Sequence, residues 1–178
     1  MNSARLLAST FLFASLLASA RPVPAEPVAD VNLPSVQGGK AFRLSENRGR
    51  FVALHFLLKT ECPFCTKHTH TYLKRMAEVP DVVHAFIKPD TEEEIRGWAK
   101  DMPKESPIYR DADGTFAKRM GIPDGYRFHG QTVHYPALVL LDPEGREVFR
   151  HVGQDNVDRY KFDDFAKKIA ELKAKPGK

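Results

Sequence analysis

The chain is poor in cysteine, with two in 178 residues. That scarcity leaves no disulfide framework and no four-cysteine zinc site, since a second pair is missing. No glycine fingerprint for a nicotinamide cofactor occurs, and there is no internal repeat. Charge of one sign is not concentrated either: 27 Lys and Arg against 23 Asp and Glu leave a formal charge of +4. Without a basic stripe interleaved with aromatics, a nucleic-acid partner has no support. Lys167, Lys168, Lys173, Lys175 and Lys178 read as a solvated helix face and tail.

The N-terminus carries a short apolar stretch, Leu6 to Leu17, preceded by Arg5 and followed by Ala18-Ser19-Ala20. This is the pattern of a signal peptide over residues 1–20, with a second possible cut after Ala25. The stretch is short for a span of roughly 20 residues, so membrane association is expected only if the signal is retained. No lipid-accepting cysteine follows it. The expected destination is the exported, periplasmic side of a bacterial membrane, where a cysteine pair can be oxidised. Residues 21–30, rich in Pro and Ala, read as a disordered leader, and 31–175 as one domain with one core.

Both cysteines stand in Cys62-Pro63-Phe64-Cys65. The preceding run, Phe51 to Leu58, is the near-continuous apolar sequence of a strand buried on both faces. The following segment, Pro63 to about Glu78, reads as a helix with Cys62 near its N-cap and Pro63 at its first position. Unpaired N–H groups and the helix dipole favour thiolate at that cap. Cys62 is therefore the candidate nucleophile and Cys65 the resolving thiol. Half a zinc site completed by histidines is a competing reading; a purely structural disulfide would close too short a loop to stabilise much.

Beyond the motif, Val31–Val36 and Lys40–Leu44 flank Gly38-Gly39, a hairpin signal. Asp81–Lys88 reads as a second core strand, and Thr91 with Glu94 as a capping box opening a helix to about Met102. Pro107–Arg110 is a short strand and Asp113–Met120 a short helix, with Asp111 and Asp113 as turn and cap residues. Pro136–Leu141, the turn Asp142–Gly145 and Arg146–Val152 form an antiparallel pair, and Asp158–Lys173 a closing amphipathic helix. Residues 123–135 read as a long loop with Tyr126, Phe128 and Tyr135 as a specificity rim or as pins to the core. Trp98 reads as packing.

A buried strand ending in CxxC, a parallel strand–helix crossover, then X-Pro opening a hairpin before a terminal helix resembles the thioredoxin-like fold: an α/β domain with a central mixed sheet flanked by helices, here with an extra N-terminal hairpin. Within it, Tyr109–Thr115, Met120–Ile122 and Pro136–Gly145 resemble the exported redoxins related to peroxiredoxins and membrane-anchored thiol reductants. The resemblance implies a thiol-disulfide oxidoreductase acting on protein thiols and disulfides, recycled by a separate redox protein. It implies a catalytic Pro136 facing the cysteines through a cis Tyr135–Pro136 peptide, and a substrate surface from Tyr135, Pro63 and Phe64. Pro63-Phe64 also resembles the glutaredoxin dipeptide.

Departures from the family pattern sharpen this. Glu61 precedes Cys62 where thioredoxins usually have Trp, and its charge opposes thiolate formation. Peroxiredoxins carry Thr or Ser three residues before the reactive cysteine and Pro further upstream; here Lys59 and His55 stand there, which weakens a peroxidase reading. The strand before the motif holds no acid to shuttle the Cys65 proton, so His68, one turn beyond Cys65, is the candidate base. No cofactor is expected. The alternative is a metallochaperone for Cu(I) or Zn(II), in which His68, His70, His129 or His134 join the two thiolates.

Overall fold

The computed structural model describes residues 26–174 apart from residue 129 and the side chain of Phe128. The expected signal peptide, the start of the leader, His129, Lys175 and Lys178 lie outside them. Residues 26–30, expected to be disordered, are tied to the domain. Val28 N–H donates to Gly145 O at 2.8 Å, and Asp30 accepts from Ser45 N–H and Oγ. The turn at Asp142–Gly145 thus offers the leader backbone a partner that sequence alone does not reveal.

Strands β1 (Asn32–Leu33) and β2 (Phe42–Arg43) pair antiparallel around Gly38, whose φ of 81° suits a glycine turn. They are followed by β3 (Phe51–Phe56), helix α1 (Pro63–Arg75), β4 (Val82–Lys88), α2 (Glu92–Trp98), β5 (Ile108–Arg110) and α3 (Thr115–Arg119). A second hairpin, β6 (Asp124–Phe128) and β7 (Gln131–His134), leads into β8 (Ala137–Leu141), β9 (Glu147–Val152) and α4 (Phe162–Ala174). The central sheet runs β5-β4-β3-β8-β9, with β3, β4 and β5 parallel and β8 and β9 antiparallel to their neighbours. This is the mixed sheet of the thioredoxin-like fold.

Because side chains alternate across a strand, β3 feeds two cores. Ala53 and Leu57 pack with Cys65 and Tyr72 of α1, Ile95 of α2 and Phe162, Phe165 and Ile169 of α4. Val52, Leu54 and Phe56 face the other way, against Phe116 and Ala117 of α3 and Leu33 and Phe42 of the first hairpin. His55 shares the helix-bearing face with Ala53 and Leu57, so a polar ring is carried into the core beneath α1. The stretch 123–135, expected as a loop, contains the antiparallel strands β6 and β7, with a register shift between Asp124 and Tyr126. The glycines that suggested a loop mark its turn and its bulge.

Local signals hold closely elsewhere. Thr91 and Glu94 form the reciprocal capping box of α2. Asp111 is buried, and its two carboxylate oxygens accept from Phe116 N–H and Ala117 N–H, each at 2.9 Å. That carboxylate satisfies two donors a five-residue helix would otherwise leave open. Asp111→Ala is expected to destabilise the domain by about 1–2 kcal/mol, read as a lower denaturant midpoint with unchanged slope. An unchanged midpoint would show that the cap carries no stability.

Candidate active site

The motif sits where β3 hands over to α1. Cys62 is the N-cap, with extended backbone (φ −79°, ψ 106°), and its sulfur accepts from Cys65 N–H at 3.4 Å; Pro63 takes the first helical position. Cys62 is half-buried and Cys65 fully buried. Phe64 between them is 42% exposed, so the turn presents Cys62 and Phe64 outward while Cys65 faces the core.

Arg159, in the loop between β9 and α4, lies across both sulfurs. Its Nη2 donates to Cys62 Sγ at 3.3 Å and to Cys65 Sγ at 3.1 Å, while Nη1 is held by the carbonyls of Asn156 and Asp158. Leu58 N–H also donates to Cys65 Sγ, at 3.2 Å. The Cys65 thiol, then its backbone N–H and the Arg159 charge bring the Cys62 thiol down to about 6, although burial opposes them. The hydrogen bond to Cys62 and burial push the Cys65 thiol up. The two sulfurs thus divide the roles: Cys62 holds the negative charge at neutral pH and Cys65 keeps its proton. The opposing effect expected of Glu61 is outweighed by these donors.

Beneath the motif lies a buried charge cluster. Lys88, at the end of β4, donates from Nζ to Leu58 O at 2.7 Å, lies 3.4 Å from Asp90 Oδ2, and sits over the Trp98 ring. Asp90 Oδ1 accepts from Thr60 N–H at 3.0 Å and pairs with Lys59 Nζ at 3.3 Å. A buried acid therefore exists, but it comes from the end of β4 and anchors the loop entering the motif. Trp98 packs as expected and joins α2 to α1 through Nε1–H to Thr66 Oγ1 at 2.8 Å.

His68 has a different partner from the one expected. Its Nε2 meets His55 Nδ1 at 3.1 Å, and His55 Nε2 meets His84 Nδ1 at 3.0 Å. The three rings, from α1, β3 and β4, are buried and form one chain. A neutral imidazole donates at one nitrogen and accepts at the other, so both contacts form without charge, and the chain ends at His84 Nε2, which has no partner among the described residues. Burial first, then the Arg159 charge, lowers His68 to about 3; burial lowers His84 to about 4 and His55 well below the usual range. These are neutral hydrogen-bonding groups at pH 7, and the two strand histidines stand in apolar runs that give no sign of the chain they form.

Pro136 is buried, and a water-sized cavity brings it together with His68 and Arg159. The expected cis Tyr135–Pro136 peptide is corrected: no peptide among the described residues is cis. Tyr135 N–H donates to Pro123 O at 3.0 Å and Pro136 O accepts from Gly153 N–H at 2.8 Å, which carries an extended chain from β7 into β8. The Tyr135 N–H is therefore already engaged. Tyr126 is partly buried against the helix-side core, and its hydroxyl is raised by burial and by the two cysteines.

Among the described residues, which leave out His129, the histidines of the metal reading are not gathered. His134 lies against Gly114, with Nδ1 3.3 Å from Asp124 Oδ1, and no cluster of three or more His, Cys, Asp or Glu suited to a metal ion occurs among the described residues. His70 is half-buried and is not part of the imidazole chain.

Two outcomes follow. The rate of Cys62 alkylation should rise through a midpoint near pH 6, and Arg159→Met should move that midpoint up by about one unit, with Arg159→Lys partly restoring it. An unmoved midpoint would remove Arg159 from the site's electrostatics. The histidines set a second dependence. Folded values held below the unfolded 6.5 mean that stability is complete above that pH and falls as pH drops toward 4 and 3. In a Cys62→Ser background, where that thiol does not titrate, unfolding free energy should be about 4 kcal/mol lower at pH 5.5 than at 7.5, roughly 1.4 for each of the three histidines. A flat profile would contradict a neutral buried chain.

Comparison with known proteins agrees with this geometry. Residues 24–148 match the AhpC/TSA family. No curated protein shows significant similarity. Among solved structures, the peroxidoxin BcpB of Mycobacterium tuberculosis is 21% identical, with a TM-score of 0.67 over 86% of this chain and 98% of that one. The exposed lipoprotein thioredoxin Etrx1 of Streptococcus pneumoniae is 24% identical, with a TM-score of 0.64 over 81% and 100%. A secreted M. tuberculosis disulfide oxidoreductase homologous to E. coli DsbE is 19% identical, with a TM-score of 0.60 over 80% and 96%. A strand–CxxC–helix site on this mixed sheet, together with a family match over most of the chain, places the protein in the AhpC/TSA family of thioredoxin-like oxidoreductases.

Proposed function

We propose that this oxidoreductase is an exported thiol-disulfide exchange enzyme that acts on protein disulfides through Cys62 and Cys65. The observation that carries the reading is the asymmetry of the pair: an accessible sulfur drawn toward thiolate beside a buried sulfur that stays protonated. Cys62 attacks a partner disulfide, forming one S–S bond and releasing one partner thiolate. Cys65 then gives up its proton and displaces the second partner sulfur, closing the Cys62–Cys65 disulfide. Leu58 N–H and Arg159 already point at the Cys65 sulfur, where charge develops in that second step. His68 serves as a positioning residue that ties α1 to the sheet, Pro136 shares a small cavity with His68 and Arg159, and Phe64 stands between the two cysteines in the chain. No cofactor is required; a separate thiol protein recycles the pair.

Export rests on the residues 1–20 pattern and is in keeping with the exposed lipoprotein and the secreted oxidoreductase among similar structures. Among the described residues no helix is long and apolar enough to cross a membrane.

A thiol peroxidase is the second reading, favoured by the family match and by the peroxidoxin likeness. It asks for a hydroxyl donor near the reactive sulfur. The position that would supply it holds Lys59, paired with Asp90, and the upstream proline position holds His55, engaged in the imidazole chain.

Cys62→Ser should lower reduction of insulin disulfides by more than about 100-fold, while Cys65→Ser should accumulate mixed disulfides visible on non-reducing gels. Full activity in both variants would overturn the assignment. Rapid sulfenic acid at Cys62 under micromolar peroxide, with no exchange activity, would favour the peroxidase instead.

A further inference from the structure

Beside Cys62 a groove of about 590 Å³ opens between α1 and the loop leading into α4. Its walls include His68 and Arg159, so it adjoins the reacting sulfurs directly. Two of the three large hydrophobic side chains exposed among the described residues, Phe64 at 42% and Val157 at 50%, stand on its rim. Apolar surface left open next to a reactive group suits a partner that covers it.

The charges along the groove are not balanced. Its acids are already engaged: Asp163 pairs with Arg75 at 2.7 Å, and Asp158 accepts from Gln154 N–H at 3.1 Å and lies 3.2 Å from His151 Nε2. Among the described residues, its exposed cations Lys67 and Lys161 have no ion-pair partner. Glu61, next to Cys62 in the chain, does not line the groove. A ligand entering here therefore meets an apolar rim, two open ammonium groups and the Arg159 guanidinium.

We propose, building on the exchange reading above, that this groove selects disulfides carried on acidic, apolar polypeptide segments. The segment's apolar side chains cover Phe64 and Val157, and its carboxylates meet Lys67 and Lys161, which holds the disulfide at Cys62. The chemistry is ordinary exchange: the Cys62–Cys65 dithiol is oxidised by two electrons, the segment's disulfide is reduced, and the Cys65 proton ends on a segment sulfur. The lysines act on encounter and binding, so their effect is salt-dependent.

The test uses the reduced mature protein with two disulfide-bearing peptides that share an apolar sequence but carry either Glu or Lys beside the cysteines, and a small neutral disulfide as reference. The expected result is that the acidic peptide reacts about tenfold faster than the basic one at low salt. The ratio should fall toward one in 0.5 M salt and in the Lys67→Glu/Lys161→Glu variant. It should persist in Lys100→Glu/Lys104→Glu, which makes the same change of net charge outside the groove. Equal rates for both peptides, with the neutral disulfide reduced, would overturn the groove and leave the exchange reading standing. A preference lost equally in both double variants would assign it to net charge and also overturn the groove. No exchange with any of the three disulfides would overturn the exchange reading and the groove with it.

Discussion

The site depends on one negative charge being held at Cys62 and not at Cys65. Three features do this: the N-cap position, the buried Cys65 thiol, and a guanidinium shared by the two sulfurs. Each is weak alone, and together they separate the two thiols far enough that one is a nucleophile and the other a reserve. Shared contact with Arg159 also means that little must move when charge passes from Cys62 to Cys65 during exchange. Donors fixed in advance cost no reorganisation at the moment of reaction.

Holding that arrangement requires a rigid floor, and the floor is polar. Lys88 and Asp90 are fully buried, with His55 and His84 buried on the sheet and His68 buried on α1 against them. Such groups are costly to desolvate and rarely add net stability. What they supply is geometry. Asp90 takes the Thr60 N–H and Lys88 takes the Leu58 carbonyl, so the segment between β3 and Cys62 is fixed by side chains from the neighbouring strand. The imidazole chain does the same for α1, whose sequence is rich in Thr and His and has little intrinsic helix preference.

Local features were legible in the sequence because local rules govern them. The Cys62 cap with Pro63, the Thr91 capping box and the turn at Asp142–Gly145 rest on contacts within a few residues, and the strand before the motif shows in its own apolar run. Arg159 was not legible. It lies 97 residues from Cys62, and only the packing of α4 against α1 and the sheet brings its loop to the sulfurs. His55 and His84 could have been found by combining strand parity with the pairing of Ala53 to His84, a register no single strand reveals. The β6–β7 hairpin was hidden by its own glycines. The cis peptide was inherited from a resemblance, and the hydrogen bonds flanking Tyr135 and Pro136 hold an extended path instead.

The most direct test of this account is the Cys62–Cys65 reduction potential, measured by equilibrating the mature protein in glutathione buffers without metal. A sulfur stabilised as thiolate favours the reduced pair, so the account predicts a single two-electron transition at a potential more positive than thioredoxin's, about −270 mV. A potential at or below that value, or no disulfide between Cys62 and Cys65 at any poise, would contradict it.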